Sequence, residues 1–505
     1  MRFFSIIFCL FTFLYSGNNI HRCGLHLANL SRNNTPPTNC SSYFDSENGY
    51  FRIHYGVCDS ENAVGSTYFA QPVNATLEYV EAVAEAAEYS RNLLLNMGFQ
   101  QEIGDADGIY DIYLANFPDG YYGVNYASSQ GGSFIYIDND YDNFSCGPCH
   151  IAPSSIELMK ITVAHEYFHA VQRSYSPGNQ NLFFWELSST WFEDVAYPNI
   201  NDYLNWSYYT YLEDPEEDFS NYIPAEGYSL ALFAHYLTQT YDEVDNQNSD
   251  IIRLIWEHFN GHTSEDALLT IEDILSSQYN SSFSKAWSDF NVRNNFNGEF
   301  EDMDNNIYYY EDQKYIPPIS ELGNTQFFNS SGTVSNIITE RGEVEIKPYQ
   351  LISPEYSFLS LTLSDDEDCG TNAGGMSSFN GFLGIQSNNN RWHRIYDLNT
   401  LFDNNEIIAL SPGDNLYYSL SSKDTNTNLN YCLNIPYDLN QDNNFSSGDL
   451  NLDNVLNILD LVFLIDIILE KVNISEYQYD LVNFNNDMSL NIIDAVTLIN
   501  IILDS

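Results

Sequence analysis

One hexapeptide sets the strongest limit on what this chain can be. Residues 164–169 read Ala-His-Glu-Tyr-Phe-His, inside an amphipathic run, residues 154–172, that predicts a helix. His165 and His169 are four residues apart, so their Cβ atoms should lie about 5 to 6 Å apart on one helix face. Two imidazoles in this arrangement can bind one metal ion, and zinc accepts such ligands readily. Glu166 would then act as general base toward a water at the open metal position.

The alternative is a chance match to a short pattern, and the flanking residues argue against it. Ser154 and Glu157 have the spacing of a capping box at a helix start, and Pro177-Gly178 ends the segment. We therefore predict a catalytic metal site. Such a site takes three protein ligands and leaves the fourth position to water, so a third ligand is needed.

The third ligand is expected in residues 185–194, Trp-Glu-Leu-Ser-Ser-Thr-Trp-Phe-Glu-Asp. This segment resembles the second helix of gluzincin metallopeptidases, in which a downstream glutamate completes the zinc site. On the pattern E-G-F-A-x-x-x-E, the resemblance implies that Glu186 is the zinc ligand. Glu193 follows about two turns later and would orient a ligand histidine. The chain has Leu-Ser-Ser in place of Gly-Phe-Ala, so the choice between the two glutamates stays open.

The same resemblance implies two further parts of an active site. A gluzincin uses a Tyr or His of its helical lobe to donate a hydrogen bond to the oxyanion of the tetrahedral intermediate. Tyr228 and His235, seven residues apart, are the candidates, and neighbouring tyrosines such as Tyr222 compete with them. Residues 131–138, just before the metal helix, would form the strand at the cleft edge, with which a peptide substrate pairs.

The beginning of the chain has the pattern of a secretory signal. Residues 1–17 contain Arg2, an apolar run from residue 3 to residue 15, and Ser16-Gly17 as a cleavage site. That run is too short to span a bilayer, which needs about 20 residues, and no other stretch is suitable. We therefore expect a secreted, extracellular protein without a membrane span. The formal net charge of -53 excludes nucleic acid as a partner and favours calcium binding or a saline habitat.

The cysteines support export, because most should pair in an oxidising compartment. Cys146 and Cys149 predict a local disulfide, since the redox motif and haem attachment that C-x-x-C-H also resembles both lack their context. Cys369 and Cys432 are expected to form another disulfide. An odd number remains after the signal, so one cysteine is left over. The seven are Cys23, Cys40, Cys58, Cys146, Cys149, Cys369 and Cys432.

The length of 505 residues predicts several domains in an α+β chain. An irregular lead, residues 18–48, precedes a metallopeptidase domain, residues 49–315, with a small sheet and a helical lobe. Short alternating runs in residues 316–437 are typical of a β-sandwich accessory domain. Strands are predicted at 51–55, 109–114 and 133–138, and helices at 72–97, 154–172, 228–241, 251–259, 264–277 and 283–293.

Residues 438–505 contain a second specific pattern. Oxygen-bearing side chains recur at the spacing of a calcium loop, and the pattern repeats thirty-four residues later with an apolar helix behind each copy. Position 7 binds through its carbonyl, so any residue is acceptable there. The first loop has Asp449, Asn451, Asp453, Val455, Asn457 and Asp460, and the second has Asn483, Asn485, Asp487, Ser489, Asn491 and Asp494.

This pair of units resembles a type I dockerin. The resemblance implies structural calcium and a cohesin-bearing scaffold or cell-surface protein as partner. Asn454 and Met488 stand where the sharp turn favours glycine. Asn tolerates a positive φ and Met does so poorly, so the second loop should bind calcium more weakly. Residues 438–449 repeat the spacing once more and are a candidate for a third, overlapping loop.

Together these patterns predict a secreted zinc peptidase that acts on proteins or peptides and is displayed through a dockerin-like module. The competing class is a non-catalytic, calcium-stabilised surface or adhesion protein with a relic histidine helix. The intact trio of His165, Glu166 and His169 favours the enzyme.

Overall fold

The structure is a computed structural model of the chain, and it describes the following residues. In the N-terminal part these are 23, 34–59, 75–104, 107–117, 121–129, 131–141, 151–176, 181–205, 211–212, 215–242, 246–262, 265–298, 308–316 and 319. In the C-terminal part they are 326–328, 332–338, 344–351, 357–359, 362–364, 379–386, 393–404, 408–410, 413–423, 429–435, 447–450, 455–469, 479, 481–485 and 489–504. The predicted signal segment, Cys146, Cys149 and Cys369 lie outside these residues.

The described residues belong to two compact units. The first takes those within 1–91, 102–148 and 153–170, and the second those within 92–101, 149–152 and 171–505. Helices combine with small, mainly antiparallel sheets, so the α+β class is confirmed at that level. No described helix is both long and apolar enough to cross a membrane.

The first unit is built on a five-stranded sheet with the order β1-β2-β3-β5-β4. The central strands β2, β3 and β5 are parallel, and the two edge strands are antiparallel to their neighbours. Every residue of β5 is buried, as expected for a strand inside a covered sheet. The strands are β1 (Ser42–Asp45), β2 (Phe51–Tyr55), β3 (Tyr110–Ala115), β4 (Gly123–Ala127) and β5 (Ser133–Asp138).

The edge strand of this sheet differs from the predicted one. The predicted strand at residues 133–138 is present as β5, but it lies between β3 and β4. The prediction that it forms the edge is therefore wrong, and β4 takes that position. Strand β4 reads Gly-Val-Asn-Tyr-Ala. It was missed because it is short and contains glycine and asparagine, which are depleted in strands.

Two long helices accompany the sheet, α1 (Leu77–Asn96) and α2 (Ser155–Tyr175). Gly98 follows α1 with a φ of 85°, which glycine adopts without strain. The capping box of α2 is confirmed: Glu157 N donates to Ser154 Oγ at 3.3 Å, and Ser154 N donates to Glu157 Oε2 at 2.7 Å. These hydrogen bonds hold the pKa of Glu157 below its usual value.

The second unit has a helical part packed through aromatic rings. Phe219, Phe233, Trp287 and Phe290 are fully buried, and neighbouring rings among them lie 5.0 to 5.6 Å apart. Aromatic residues at helical spacing thus form the core, as the sequence indicated. The helices are α3 (Leu182–Ala196), α4 (Ala231–Leu237), α5 (Ile251–Phe259), α6 (Ala267–Gln278) and α7 (Phe283–Arg293).

Helix α7 packs on the strands that follow it. Ser288 Oγ donates to Asn380 O at 3.1 Å, and a Cβ at Gly384 would come within 3.1 Å of Val292 Cγ2. The predicted short strands of this region are confirmed. They are β6 (Gln326–Phe328), β7 (Gly332–Ile338), β8 (Val344–Leu351), β9 (Ser357–Leu359), β10 (Thr362–Ser364), β11 (Phe379–Gln386), β12 (His393–Asp397), β13 (Ile408–Leu410), β14 (Asn415–Ser422) and β15 (Leu429–Ile435).

These strands form sheets with the orders β10-β15-β7, β12-β11-β14-β8-β6 and β13-β9. Every pairing is antiparallel except that of β6 with β8. A short helix, α8 (Leu398–Asn404), follows β12. Near the C-terminus, α9 (Ile458–Ile468) and α10 (Ile492–Asp504) enclose a small core of Leu450, Leu461, Leu464, Val482, Ala495 and Leu498.

Candidate metal centre

The two histidines of helix α2 point at the same place. His165 and His169 are buried, and their Nε2 atoms lie 3.1 Å apart. Two zinc–nitrogen bonds of about 2.0 to 2.1 Å at a tetrahedral angle put the nitrogens roughly 3.3 Å apart. The observed separation fits two nitrogens bound to one small ion.

Helix α2 is held on the sheet by polar and aromatic contacts on both sides of the motif. Asn125 Nδ2, on β4, donates to Glu166 O at 3.2 Å, and Tyr167 OH donates to Glu102 Oε2 at 2.6 Å. The Tyr167 ring lies edge-on to Phe51 of β2, with centroids 5.3 Å apart. Burial raises the pKa of Tyr167 far above its ordinary value, so it acts as a hydrogen-bond donor here.

Strand β4 passes directly beside the predicted general base. A Cβ at Gly123 would lie 2.7 Å from Thr162 Cγ2 and 2.8 Å from Glu166 Cγ. Glycine is therefore needed at the first position of this edge strand, because any side chain would push against the helix. A peptide that pairs with β4 would run next to the Glu166 carboxylate.

Four buried side chains form a group with the geometry of a metal site. Cys23, His165, His169 and Glu186 each offer one ligand atom, and these atoms all lie within 4.8 Å of one another. Three of them were predicted, and Cys23 was not. Glu193 is also buried, but it is not a member of this group. The only sequence signal for Cys23 was the odd number of cysteines.

Helix α3, which carries Glu186, is fixed by a buried glutamine one turn after the motif. Gln172 Nε2 donates to Trp185 O at 3.1 Å, to Ser188 Oγ at 3.1 Å and to Ser189 Oγ at 3.0 Å. Trp256 Nε1 donates to the same Ser188 Oγ at 3.2 Å. The residue that anchors α3 is therefore only three positions from His169.

The donor set fits zinc. Imidazole nitrogen, carboxylate oxygen and thiolate sulfur are the zinc ligands of proteins, and four of them suit a tetrahedral ion. Burying a carboxylate such as that of Glu186 is costly unless positive charge compensates it. A dication among these side chains would supply that charge.

The two oxyanion candidates lie in different surroundings. Tyr228 is buried and follows Gly227, where a Cβ would come within 2.9 Å of Glu186 Cβ. His235 is buried beside Asp194, with 3.7 Å between Nε2 and Oδ2, and it stacks on Tyr310 with centroids 4.1 Å apart. The structure therefore brings the segment that contains Tyr228 close to Glu186, and places His235 against Asp194 and Tyr310.

Asp194 is a buried acid that the sequence did not single out. The Tyr310 hydroxyl donates to its Oδ2, and burial raises the pKa of this carboxyl to about 7. A carboxyl that is half protonated near neutral pH can accept or donate a hydrogen bond, and here it holds Tyr310 close to His235.

The two candidate calcium loops have the same hydrogen bonds, thirty-four residues apart. Asp460 Oδ1 accepts from Leu450 N at 2.9 Å, and Asp494 Oδ1 accepts from Phe484 N at 3.2 Å. The second oxygen of each carboxylate accepts from the backbone of the residue three positions before it, at 2.8 Å and 3.0 Å. Each twelfth-position aspartate thus closes its own loop in the same way.

The predicted ligands of these loops are only partly described. Asn451, Asp453 and Asp487 lie outside the described residues, as do Asn454, Met488 and most of the third candidate loop. Of the others, Asp449, Asp460 and Asp494 are fully buried. The remaining described positions are Val455, Asn457, Asn483, Asn485, Ser489 and Asn491. Three buried carboxylates in so small a unit are consistent with bound cations.

The comparisons with known proteins bring no further assignment. The chain matches no family model, and a search of curated proteins finds no match.

Proposed function

We propose that this protein is a zinc-dependent peptidase of the gluzincin type. The observation that carries the proposal is the approach of the two Nε2 atoms to 3.1 Å, with Glu186 in the same buried group. Glu166, between the two histidines, lies against the edge strand of the sheet. The predicted ligands, the predicted general base and this edge strand together support the proposal.

His165, His169 and Glu186 would hold the ion, which would polarise the scissile carbonyl and acidify the attacking water. Glu166 would take the proton of that water and deliver it to the leaving amine. Strand β4 would hold the substrate as an added strand, so the protein would recognise backbone more than side chains. Tyr228 is the preferred oxyanion donor because its segment approaches Glu186, and His235 is the alternative.

The test is to change Glu166→Gln in a Cys23→Ser background, which keeps one metal position open, and to measure casein hydrolysis with and without a chelator. The change keeps the size of the side chain and removes its basicity, so hydrolysis should fall by at least about 10² to 10⁴. Zinc should remain bound at one equivalent. Glu157→Gln is a matched control, because it makes the same change on the exposed first turn of α2 and should leave activity unaltered. Near-full activity of the Glu166→Gln variant would contradict the proposal.

We further propose that residues 438–505 form a calcium-dependent, dockerin-like module that binds a cohesin-bearing scaffold or cell-surface protein. The support is an apolar surface on α9 and α10 that repeats with the same thirty-four-residue spacing. Its residues are 37% to 77% exposed: Ile458, Leu459, Val462, Ile465 and Leu469, and then Ile492, Ile493, Val496, Ile499 and Leu503. Exposed apolar patches of this kind mark protein interfaces. Export and display outside the cell belong to the same proposal.

One observation favours the second candidate function, a non-catalytic surface or adhesion protein. A zinc ion with four protein ligands is a structural site, whereas a catalytic site keeps one position open. Cys23 supplies such a fourth ligand atom. In a structural site Cys23 would remain bound to the ion, whereas in a catalytic site it would have to leave and open one position for water.

A further inference from the structure

The position of the Cys23 thiol matches a metal bond. Its Sγ lies 3.5 Å from His169 Nε2, and the residue is 2% exposed. A tetrahedral zinc ion with bonds of about 2.3 Å to sulfur and about 2.0 to 2.1 Å to nitrogen puts those atoms about 3.5 Å apart. One ion could therefore bind this sulfur together with the two imidazoles.

The backbone beside Cys23 uses the strand edge that a substrate would need. Cys23 forms a parallel bridge with Gly123, the first residue of β4. Asn34 forms a second parallel bridge with Ser128, just after the end of β4, and its carbonyl accepts from Ser129 N at 2.9 Å. The N-terminal lead thus touches both ends of the same edge strand. At the first bridge it lies where a Cβ would already contact Glu166.

We propose that Cys23 is an inhibitory ligand that keeps the peptidase latent, and that removal of the N-terminal lead activates it. The inference rests on the proposed function. The thiol would lose its proton to solvent and its sulfur would take the coordination position that water needs, while Cys23 and Asn34 lie at the two ends of the edge strand. Tethering makes this binding intramolecular, so the inhibition should exceed that of an added thiol by about 10² to 10⁴.

The chain offers a route for activation. A disulfide joins Cys40 to Cys58 and ties the chain to the segment around β1 and β2. Hydrolysis of one peptide bond between residues 23 and 40 by a second peptidase would separate Cys23 from that anchor. Water would then replace the thiolate, which takes up a proton as it leaves. Arg32 is the only Lys or Arg between Cys23 and Cys40, so the bond after it is the one in this segment that matches the specificity of trypsin.

The first experiment tests the bond without any assay of activity. The full chain and Cys23→Ser are loaded with cobalt(II) in place of zinc, and their absorption spectra are recorded. The wild-type protein should show the thiolate-to-cobalt charge-transfer band in the near ultraviolet, and Cys23→Ser should lack it. Both should bind one equivalent at this site, because three ligands remain in the variant. A wild-type spectrum without the band would overturn the inference, and loss of the metal from Cys23→Ser would make the thiol a structural ligand.

The second experiment tests latency. Cys23→Ser should hydrolyse casein at once, whereas the wild-type chain should be at least about a hundredfold slower until trypsin has cut at Arg32 and has then been inhibited. The double variant Cys23→Ser, Glu166→Gln should stay inactive. If the wild-type chain is as active as Cys23→Ser, the peptidase proposal stands and the proposal that Cys23 inhibits the enzyme is wrong. If neither the variant nor the cut chain is active although the cobalt band is present, the peptidase proposal fails and the site is structural.

Discussion

The histidine pair of α2 lies among many buried apolar side chains, whereas the loops beside α9 and α10 lie next to a small buried cluster. Around the pair, Val163, Ala164, Phe168 and Val171 are almost fully buried, and Asn125 and Gln172 fix the helix from two sides. Among the described residues of the C-terminal module, six apolar side chains form one small buried cluster, next to fully buried carboxylates.

On the proposed function, this difference predicts two uses of metal in one chain. In the first region the predicted ligands are held by the surrounding core, so an ion would add reactivity more than stability. In the second region the ion would neutralise carboxylates that otherwise repel one another, so its binding energy would become folding energy. Zinc removal should therefore abolish catalysis without unfolding α2, and calcium removal should unfold the C-terminal module.

The largest effect should come from deleting the predicted third ligand. Glu186→Ala should lower zinc affinity far more than Glu193→Ala, because only Glu186 belongs to the group of ligand atoms within 4.8 Å. Loss of a residue that orients a ligand typically lowers metal affinity or activity by about 10 to 100-fold, so the effect of Glu193→Ala should stay within that range. Zinc titrations monitored with a competing chelator measure both. A larger loss of zinc affinity in Glu193→Ala than in Glu186→Ala would instead identify Glu193 as the third ligand.

A smaller effect is expected at the strand edge. Gly123→Ala puts a methyl group 2.8 Å from Glu166 Cγ, so the base must move while both histidines keep their positions. A displacement of about 1 Å can cost about 10²-fold in rate, measured in the Cys23→Ser background, and zinc affinity should not change. Gly104→Ala is the control, because its Cβ would meet only Gly108 Cα at 3.9 Å. Equal activity of the two variants would show that β4 is not part of the substrate site.

The C-terminal module should respond to calcium rather than zinc. A fragment of residues 438–505 should gain helical circular dichroism at micromolar to millimolar calcium and much less with magnesium, which requires a tighter octahedron. Asp449→Ala should weaken this response more than Asn483→Ala, because it removes a charged ligand from the loop with the more permissive turn residue. A fragment that is equally helical in calcium and in chelator would contradict the dockerin proposal.

The sequence predicted the local parts of this structure and missed the parts that depend on distant contacts. Helix α2 was predictable because its apolar spacing and its Ser154–Glu157 cap lie within one segment. The edge position of β4 could not be predicted because it depends on where β5 and β3 pair. Cys23 was missed as a member of the group because its partner His169 is 146 residues away along the chain. No local pattern reports such a contact, although the odd cysteine count showed that one thiol had to be explained.

The most direct test restores one metal at a time to a single protein. The Cys23→Ser chain is stripped of metal, then zinc or calcium is added separately, and casein hydrolysis and thermal unfolding are recorded. We expect zinc alone to restore hydrolysis with little change in the unfolding of the N-terminal part, and calcium alone to stabilise the C-terminal module without restoring hydrolysis. Hydrolysis that is complete with calcium alone, or that persists without any metal, would contradict the assignment of His165, His169 and Glu186 as a catalytic zinc site.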